Sequence, residues 1–279
     1  MIKTVTTIAD LRSEIRTWRQ AGETVGLVPT MGALHEGHLA LVRQSRAKTM
    51  RTAATLFVNP KQFAPHEDLA TYPREEADDL AKLEKERVDL LFKPEASEIY
   101  PPGHATKVMV EGLGDILEGE CRPGFFTGVA TVVTKLLVQA LPDAAFFGEK
   151  DYQQLQVIKR LARDLDIPVR IEGVATVREA DGLALSSRNA YLNQEERAIA
   201  PALHGTIAQV AENVGRGSGA AEQAEWGLEQ LQRAGFAKVD YLTVRDAKTL
   251  EEVADASRPA RVLAAAWLGK ARLIDNVAV

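Results

Sequence analysis

A single cysteine, Cys121, occurs in the 279 residues, so an intramolecular disulfide and a cysteine-built zinc site are both excluded. Nothing in the sequence singles out a partner base that would make Cys121 a nucleophile, and it is expected to be a small, semi-buried residue. No apolar run approaches the roughly 18 residues of a membrane-spanning helix. The N-terminal stretch MIKTVTTIADLRSEIRTW lacks the apolar core and cleavage site of a signal peptide. There is no excess of basic charge either. The net charge of -5 and pI near 5.7 argue against a general nucleic-acid binder. Internal repeats and low-complexity segments are also missing. A soluble cytoplasmic protein that binds neither membrane nor nucleic acid is the expectation.

A hydrophobic share of 46% and a charged share of 26% suit a globular chain able to bury a large core. Ile8, Leu11, Ile15 and Trp18 recur at helical spacing, and Gly22 is placed to stop that helix. Residues 24–29, 52–58, 88–92, 144–147 and 169–174 read as strands. Residues 39–48, 75–87, 129–140 and 151–164 read as the helices between them. Strands separated by helices predict an α/β fold, a Rossmann-like parallel sheet with helices on both faces. Ligands of such sheets bind beyond the carboxyl ends of the strands, here after Val28, Val58 and Phe147.

The pattern changes near Val177. Helices are expected over 194–214 and 220–234, separated by Gly215-Arg216-Gly217-Ser218-Gly219, and strands over 238–244, 261–267 and 272–274. Helices followed by strands suggest a smaller α+β domain. The chain is therefore divided at 1–176 and 177–279.

The segment Thr30-Met31-Gly32-Ala33-Leu34-His35-Glu36-Gly37-His38 follows the first long strand and leads into a helix. Two imidazoles at a helix N-terminus, beside free N–H groups and the positive end of the dipole, suit a phosphate group. They equally suit a helix cap or half of a metal site. The zinc reading is the weaker one, because a helical zinc pair favours i,i+4 spacing.

The ten residues Pro29–His38 resemble the signature of the pantothenate synthetases, a branch of the H-x-G-H nucleotidyltransferase superfamily that also contains class I aminoacyl-tRNA synthetases. Further segments resemble that family in order: Phe57-Val58-Asn59-Pro60-Lys61-Gln62-Phe63, Tyr72-Pro73-Arg74, Phe147-Gly148-Glu149-Lys150-Asp151-Tyr152-Gln153-Gln154, and Asp181-Gly182-Leu183-Ala184-Leu185-Ser186-Ser187-Arg188-Asn189. One position departs. Arg122-Pro123-Gly124-Phe125-Phe126 carries Phe125 where the family usually has histidine, so a polar role of that loop is in doubt.

The resemblance implies ATP-dependent joining of (R)-pantoate to β-alanine through an acyl-adenylate, with Mg2+ and a homodimeric enzyme. His38, His35 and Lys150 would be catalytic. ATP would lie against Met31, Gly32, Ala33, Leu34, His35, Glu36, Gly37, His38, Gly148, Glu149, Lys150 and Asp151, and against Val177, Leu185, Ser186, Ser187 and Arg188, with Val177 and Leu185 on the adenine side. Gln62 and Gln154 would hold pantoate or β-alanine. The C-terminal domain would act as a lid. Without the resemblance, Lys150 is an exposed surface residue and Asp151 a helix cap; Asp78 and Asp79 could contact magnesium through water, but a charged helix face is the favoured reading.

Overall fold

The computed structural model describes residues 2–64, 69, 72 and 75–279. It divides into two compact units, one formed by residues up to Glu149 together with Gln153–Ala175, the other by Lys150–Tyr152 and Thr176–Val279.

The first unit is built on β1 (Lys3–Val5), β2 (Val25–Thr30), β3 (Arg51–Leu56), β4 (Leu90–Phe92), β5 (Ala144–Gly148) and β6 (Arg170–Val174). All pairings are parallel, in the order β1-β4-β3-β2-β5-β6. The intervening helices are α1 (Ile8–Gln20), α2 (Glu36–Lys48), α3 (Glu76–Lys85), the single turns α4 (Ala96–Ile99) and α5 (Glu118–Cys121), α6 (Phe125–Ala140) and α7 (Tyr152–Asp164). Val28, Ala54, Leu91, Ala144 and Phe146 share one core with Leu34, Leu41, Val42 and Leu83. Leu27, Ala53, Leu90, Phe92 and Ala145 are equally buried. Burial of successive residues explains why these strands read as continuous apolar runs rather than alternating ones.

β2 pairs with β3 on one side and with β5 on the other, so the strand order reverses between β2 and β5. A crevice at that reversal, beyond the carboxyl ends, is the expected ligand position. The opposite ends are closed by carboxylates. Asp143 accepts the Val25 N–H at 2.7 Å and Asp89 that of Thr52 at 2.8 Å.

The second unit holds β7 (Lys238–Asp246), β8 (Ala260–Leu268) and β9 (Ala271–Ala278), antiparallel in that order, with α8 (Gln194–Ile199), α9 (Ala202–Gly215) and α10 (Ala220–Ala234). Leu203, Ile207, Val210 and Val214 of α9 share a core with Leu231, Leu242, Val244, Val262 and Ala264.

Three expectations need correction. The helix expected over 194–214 is two helices, because Pro201 between them has no N–H to continue the ladder. The helix expected from residue 129 begins at Phe125. Cys121 is exposed, since it ends a single helical turn at the surface. The three-residue strand β1 carries no readable pattern, having one buried side chain.

Candidate active site

The turn after β2 is held by α3. Gly32 adopts φ +87 and Ala33 φ +51, and a non-glycine residue in the left-handed region needs support from its surroundings. Asp79 supplies it. One carboxylate oxygen accepts the Ala33 N–H at 2.9 Å and the other accepts the Leu34 N–H at 2.7 Å. One helical turn on, Lys82 Nζ donates to the Leu34 carbonyl at 2.6 Å. A Cβ on Gly32 would stand 3.0 Å from the Asp79 carboxylate, tighter than an ordinary contact, and its φ of +87 itself favours glycine. Asp79 is 2% exposed, which corrects its reading as part of a charged helix face. Asp78, beside it, faces solvent and pairs with Lys82 at 2.5 Å. Sequence reasoning missed the role of Asp79 because its partners are backbone groups with no residue signature.

This turn delivers the two histidines. His35 is the N-cap of α2 and His38 its third residue, and they cap each other's backbone reciprocally. His35 Nδ1 accepts the Gly37 N–H at 3.2 Å, and His38 Nδ1 accepts the His35 N–H at 3.3 Å. The ring centroids are 4.1 Å apart. An imidazole nitrogen that accepts carries no proton, so each neutral ring bears its proton on Nε2. The cap and phosphate readings are therefore compatible, because Nδ1 is the atom that holds the helix at the dipole's positive end.

Met31 and Gln62 are brought together across β2 and β3, with Gln62 Nε2 3.1 Å from Met31 Sδ. Gln62 closes a 3-10 turn (Pro60–Gln62) capped by Asn59. The Asn59 amide donates to Gln62 Oε1 at 2.9 Å and to the Gly128 carbonyl at 3.1 Å. Tyr100 Oη donates to Asn59 Oδ1 at 2.7 Å. Burial pushes the Tyr100 phenol above its ordinary range, so it remains a neutral donor. The turn seats on α6 at Gly128, where a Cβ would fall 2.2 Å from the Lys61 carbonyl oxygen. Arg122 Nη2 reaches the Gln62 carbonyl at 3.4 Å. Asn59 and Tyr100 thus orient Gln62. In the sequence Asn59 is visible only as part of a matching segment, and Tyr100 carries no signal.

The two glutamines at the start of α7 differ. Gln153 is buried, donating to the carbonyls of Leu113 and Ile116 at 2.9 and 2.8 Å and accepting the Glu118 N–H at 3.1 Å. Gln154 is half-buried and its amide has no hydrogen-bond partner among the described residues. Gly148 ends β5 and Glu149 opens the 3-10 turn that follows. Of Tyr72-Pro73-Arg74, Tyr72 packs edge-on against Phe63 at 5.8 Å, while Pro73 and Arg74 lie outside the described residues.

The second unit carries the other expected residues. The Lys150 side chain is 20% exposed, less than a surface lysine, and its Nζ lies 3.9 Å from Asp151. Val177 and Leu185 face each other across a turn, the Leu185 N–H donating to the Val177 carbonyl at 3.0 Å. Ser186 caps the turn Ser187–Tyr191 by accepting the Arg188 N–H at 3.3 Å.

The profile of the family described as pantoate-beta-alanine ligase matches residues 3–278. A pantothenate synthetase of Paramagnetospirillum magneticum is 56% identical over 275 residues, covering 99% of this chain and 97% of its own length. One from Caulobacter vibrioides is 55% identical over 280 residues, covering 99% and 98%. Among solved structures, pantothenate synthetase from Thermus thermophilus is similar at TM-score 0.94 and 48% identity, covering 99% of both chains. A Francisella tularensis pantoate-beta-alanine ligase, complexed with beta-gamma ATP and beta-alanine, is similar at TM-score 0.84 and 32% identity, covering 100% and 98%.

Proposed function

The chain belongs to the pantoate-beta-alanine ligase family, and from that premise we propose that it condenses pantoate with β-alanine at the expense of ATP, releasing pantothenate, AMP and pyrophosphate. The reaction runs in two steps. A carboxylate oxygen of pantoate attacks the α-phosphorus of ATP. The P–O bond to the pyrophosphate group breaks, and pyrophosphate leaves with the electron pair. The amine of β-alanine then attacks the acyl carbon of the pantoyl adenylate. The C–O bond to AMP breaks, and the nitrogen gives up a proton as the amide forms. A free carboxylate is a poor acyl donor, whereas AMP is a good leaving group.

The observation that carries this reading is the reciprocal cap of His35 and His38. Each Nδ1 accepts a backbone N–H, which fixes both rings at the N-terminus of α2, and the role proposed for their Nε2 atoms is donation to charge building on the transferring phosphoryl group. The backbone of Met31, Gly32, Ala33 and Leu34, with Glu36 and Gly37, lines the nucleotide, joined by Gly148, Glu149 and Asp151. Lys150, Ser186, Ser187 and Arg188 neutralise the triphosphate, and Val177 and Leu185 flank the adenine. Gln62 and Gln154 hold pantoate through amides suited to a carboxylate and hydroxyls.

Asp79 spends both oxygens on backbone N–H groups. Among the described residues no three His, Cys, Asp or Glu side chains are grouped to hold a metal ion. The proposed Mg2+ ion would be carried on the triphosphate, where it would neutralise phosphate oxygens. A homodimer in the cytoplasm remains part of the proposal, as the sequence resemblance implies. No helix among the described residues is long and apolar enough to cross a membrane.

The test is release of pyrophosphate and AMP from ATP and Mg2+, with pantoate alone and then with pantoate and β-alanine. Pyrophosphate on adding pantoate, with sustained AMP production only once β-alanine is present, is the expected result. Folded protein that shows no dependence on pantoate would refute the proposal.

A further inference from the structure

Two adjacent residues of β9 grip, from opposite faces of one sheet, two segments far apart in sequence. Asp275 and Asn276 are both 4% exposed, and neighbours on a strand point to opposite faces. Asn276 Nδ2 donates to the Lys150 carbonyl at 2.9 Å. Its face is shared by Arg261, whose guanidinium lies 3.9 Å over the Tyr152 ring, while Tyr152 Oη donates to the Ala247 carbonyl at 2.7 Å. The segment Lys150–Tyr152 is thereby stitched to the sheet at two points and to the turn after β7 at a third.

Asp275 works on the other segment. Arg178 meets its carboxylate with both fork nitrogens, at 2.6 and 2.9 Å, and donates to the Gly182 carbonyl at 3.1 Å. Arg178 bridges to Ala184 across the turn. The Ala184 carbonyl in turn accepts the Asn189 amide at 3.0 Å. The turn Ser187–Tyr191 also packs against β9. Asp275 closes the link to its neighbour by accepting the Asn276 N–H at 2.7 Å.

We infer that Asp275 and Asn276 are positioning residues that set the Lys150 backbone and the Ser186–Arg188 turn in one fixed relation. The pair acts on phosphate binding without touching the nucleotide. This rests on the proposed role of Lys150 and Arg188, and it adds that their spacing is determined by one dipeptide more than 85 residues downstream. A buried bidentate carboxylate–arginine pair is well suited to that task, since its planar fork fixes orientation as well as distance.

The variants are Asn276→Leu, which keeps the size and removes the donor, Asn276→Ser as a milder change, and Arg178→Lys, which keeps the charge and removes the fork. ATP–Mg2+ affinity is read by titration calorimetry, independently of turnover. Pantoate KM is read alongside, because Gln62 and Gln154 belong to the other unit. Losing one hydrogen bond of this kind should weaken ATP binding roughly fivefold or more, with pantoate KM unchanged and a thermal midpoint lowered but still well above the assay temperature. Unchanged ATP affinity, or parallel losses for ATP and pantoate, overturns the inference. If Asn276→Leu does not fold, Asn276→Ser and Arg178→Lys decide by the same readings. A wild-type protein that binds ATP but shows no pantoate-dependent turnover would fail the proposed reaction and leave this test in force.

Discussion

The guanidinium of Arg122 lies 3.8 Å over the centroid of the Phe125 ring. Phe125 is the residue at which the sequence departs from the histidine that the resemblance leads one to expect, and the contact gives Arg122 a partner within its own loop. An aromatic face attracts a cation through its quadrupole, and Phe126 buttresses the ring at 4.9 Å. Arg122 then reaches the Gln62 carbonyl. Phe125→Leu keeps most of the volume and loses the face. A cation–π contact of about 0.5–1 kcal/mol predicts that pantoate KM rises roughly two- to fivefold, with ATP KM unaffected. Phe125→Tyr should stay within about twofold of the parent, a window far below the tenfold of 1.4 kcal/mol. Steady-state kinetics with each substrate varied in turn decides it.

Asp79→Asn separates the buried brace from its exposed neighbour. Asparagine offers one oxygen where two backbone N–H groups need acceptors, and its own NH2 would face the second. An unsatisfied buried donor costs about 1–3 kcal/mol. The prediction is a lower thermal midpoint and a kcat/KM for ATP reduced at least about tenfold, because Ala33 loses the partner that holds its positive φ. Asp78→Asn, altering an exposed pair, should change neither by much. Equal behaviour of the two variants would count against the brace.

What could be read from the chain beforehand follows from where each signal resides. The apolar runs at 25–28, 52–56 and 144–147 are strands buried on both faces, and their lengths suffice to tell strand from helix. The cap made by His35 and His38 is local, with partners two and three residues away, so spacing alone suggests it. Asp79, by contrast, answers to N–H groups 46 and 45 residues away, and Asn276 to a carbonyl 126 residues away. Backbone donors and acceptors are the same at every position, so such partnerships leave no trace in residue identity. Pro201 is a visible breaker, masked by the long helical period around it.

The two functions assigned to each imidazole can be tested apart. Asparagine places an acceptor near the position of Nδ1 but offers nothing at Nε2. His38→Asn should therefore preserve the cap of α2, with a thermal midpoint close to the parent, and lower kcat by roughly two orders of magnitude, the usual worth of a donor to developing charge. His38→Ala should lose stability as well, by the ~1 kcal/mol typical of a cap. If His38→Asn turns over at the parental rate, the Nε2–H takes no part in the reaction.

His204 makes stability depend on pH, and the direction follows from its surroundings. Its Nδ1 lies 3.6 Å from the Asp275 carboxylate. Burial is the largest influence and lowers its pKa below the ordinary 6.5, the positive charge of Arg178 adds to that, and Asp275 opposes it. The folded protein thus takes up this proton at lower pH than the unfolded chain does. Between 6.5 and the depressed folded value the unfolded state holds more proton, so folding weakens as pH falls through that window and is unaffected well above it. Thermal melts should show the midpoint declining below about pH 6.5 and flat above neutrality. His204→Gln, which cannot titrate, should flatten the acid side of the curve relative to the parent. The same acid-side slope in both proteins would assign the pH dependence to other groups.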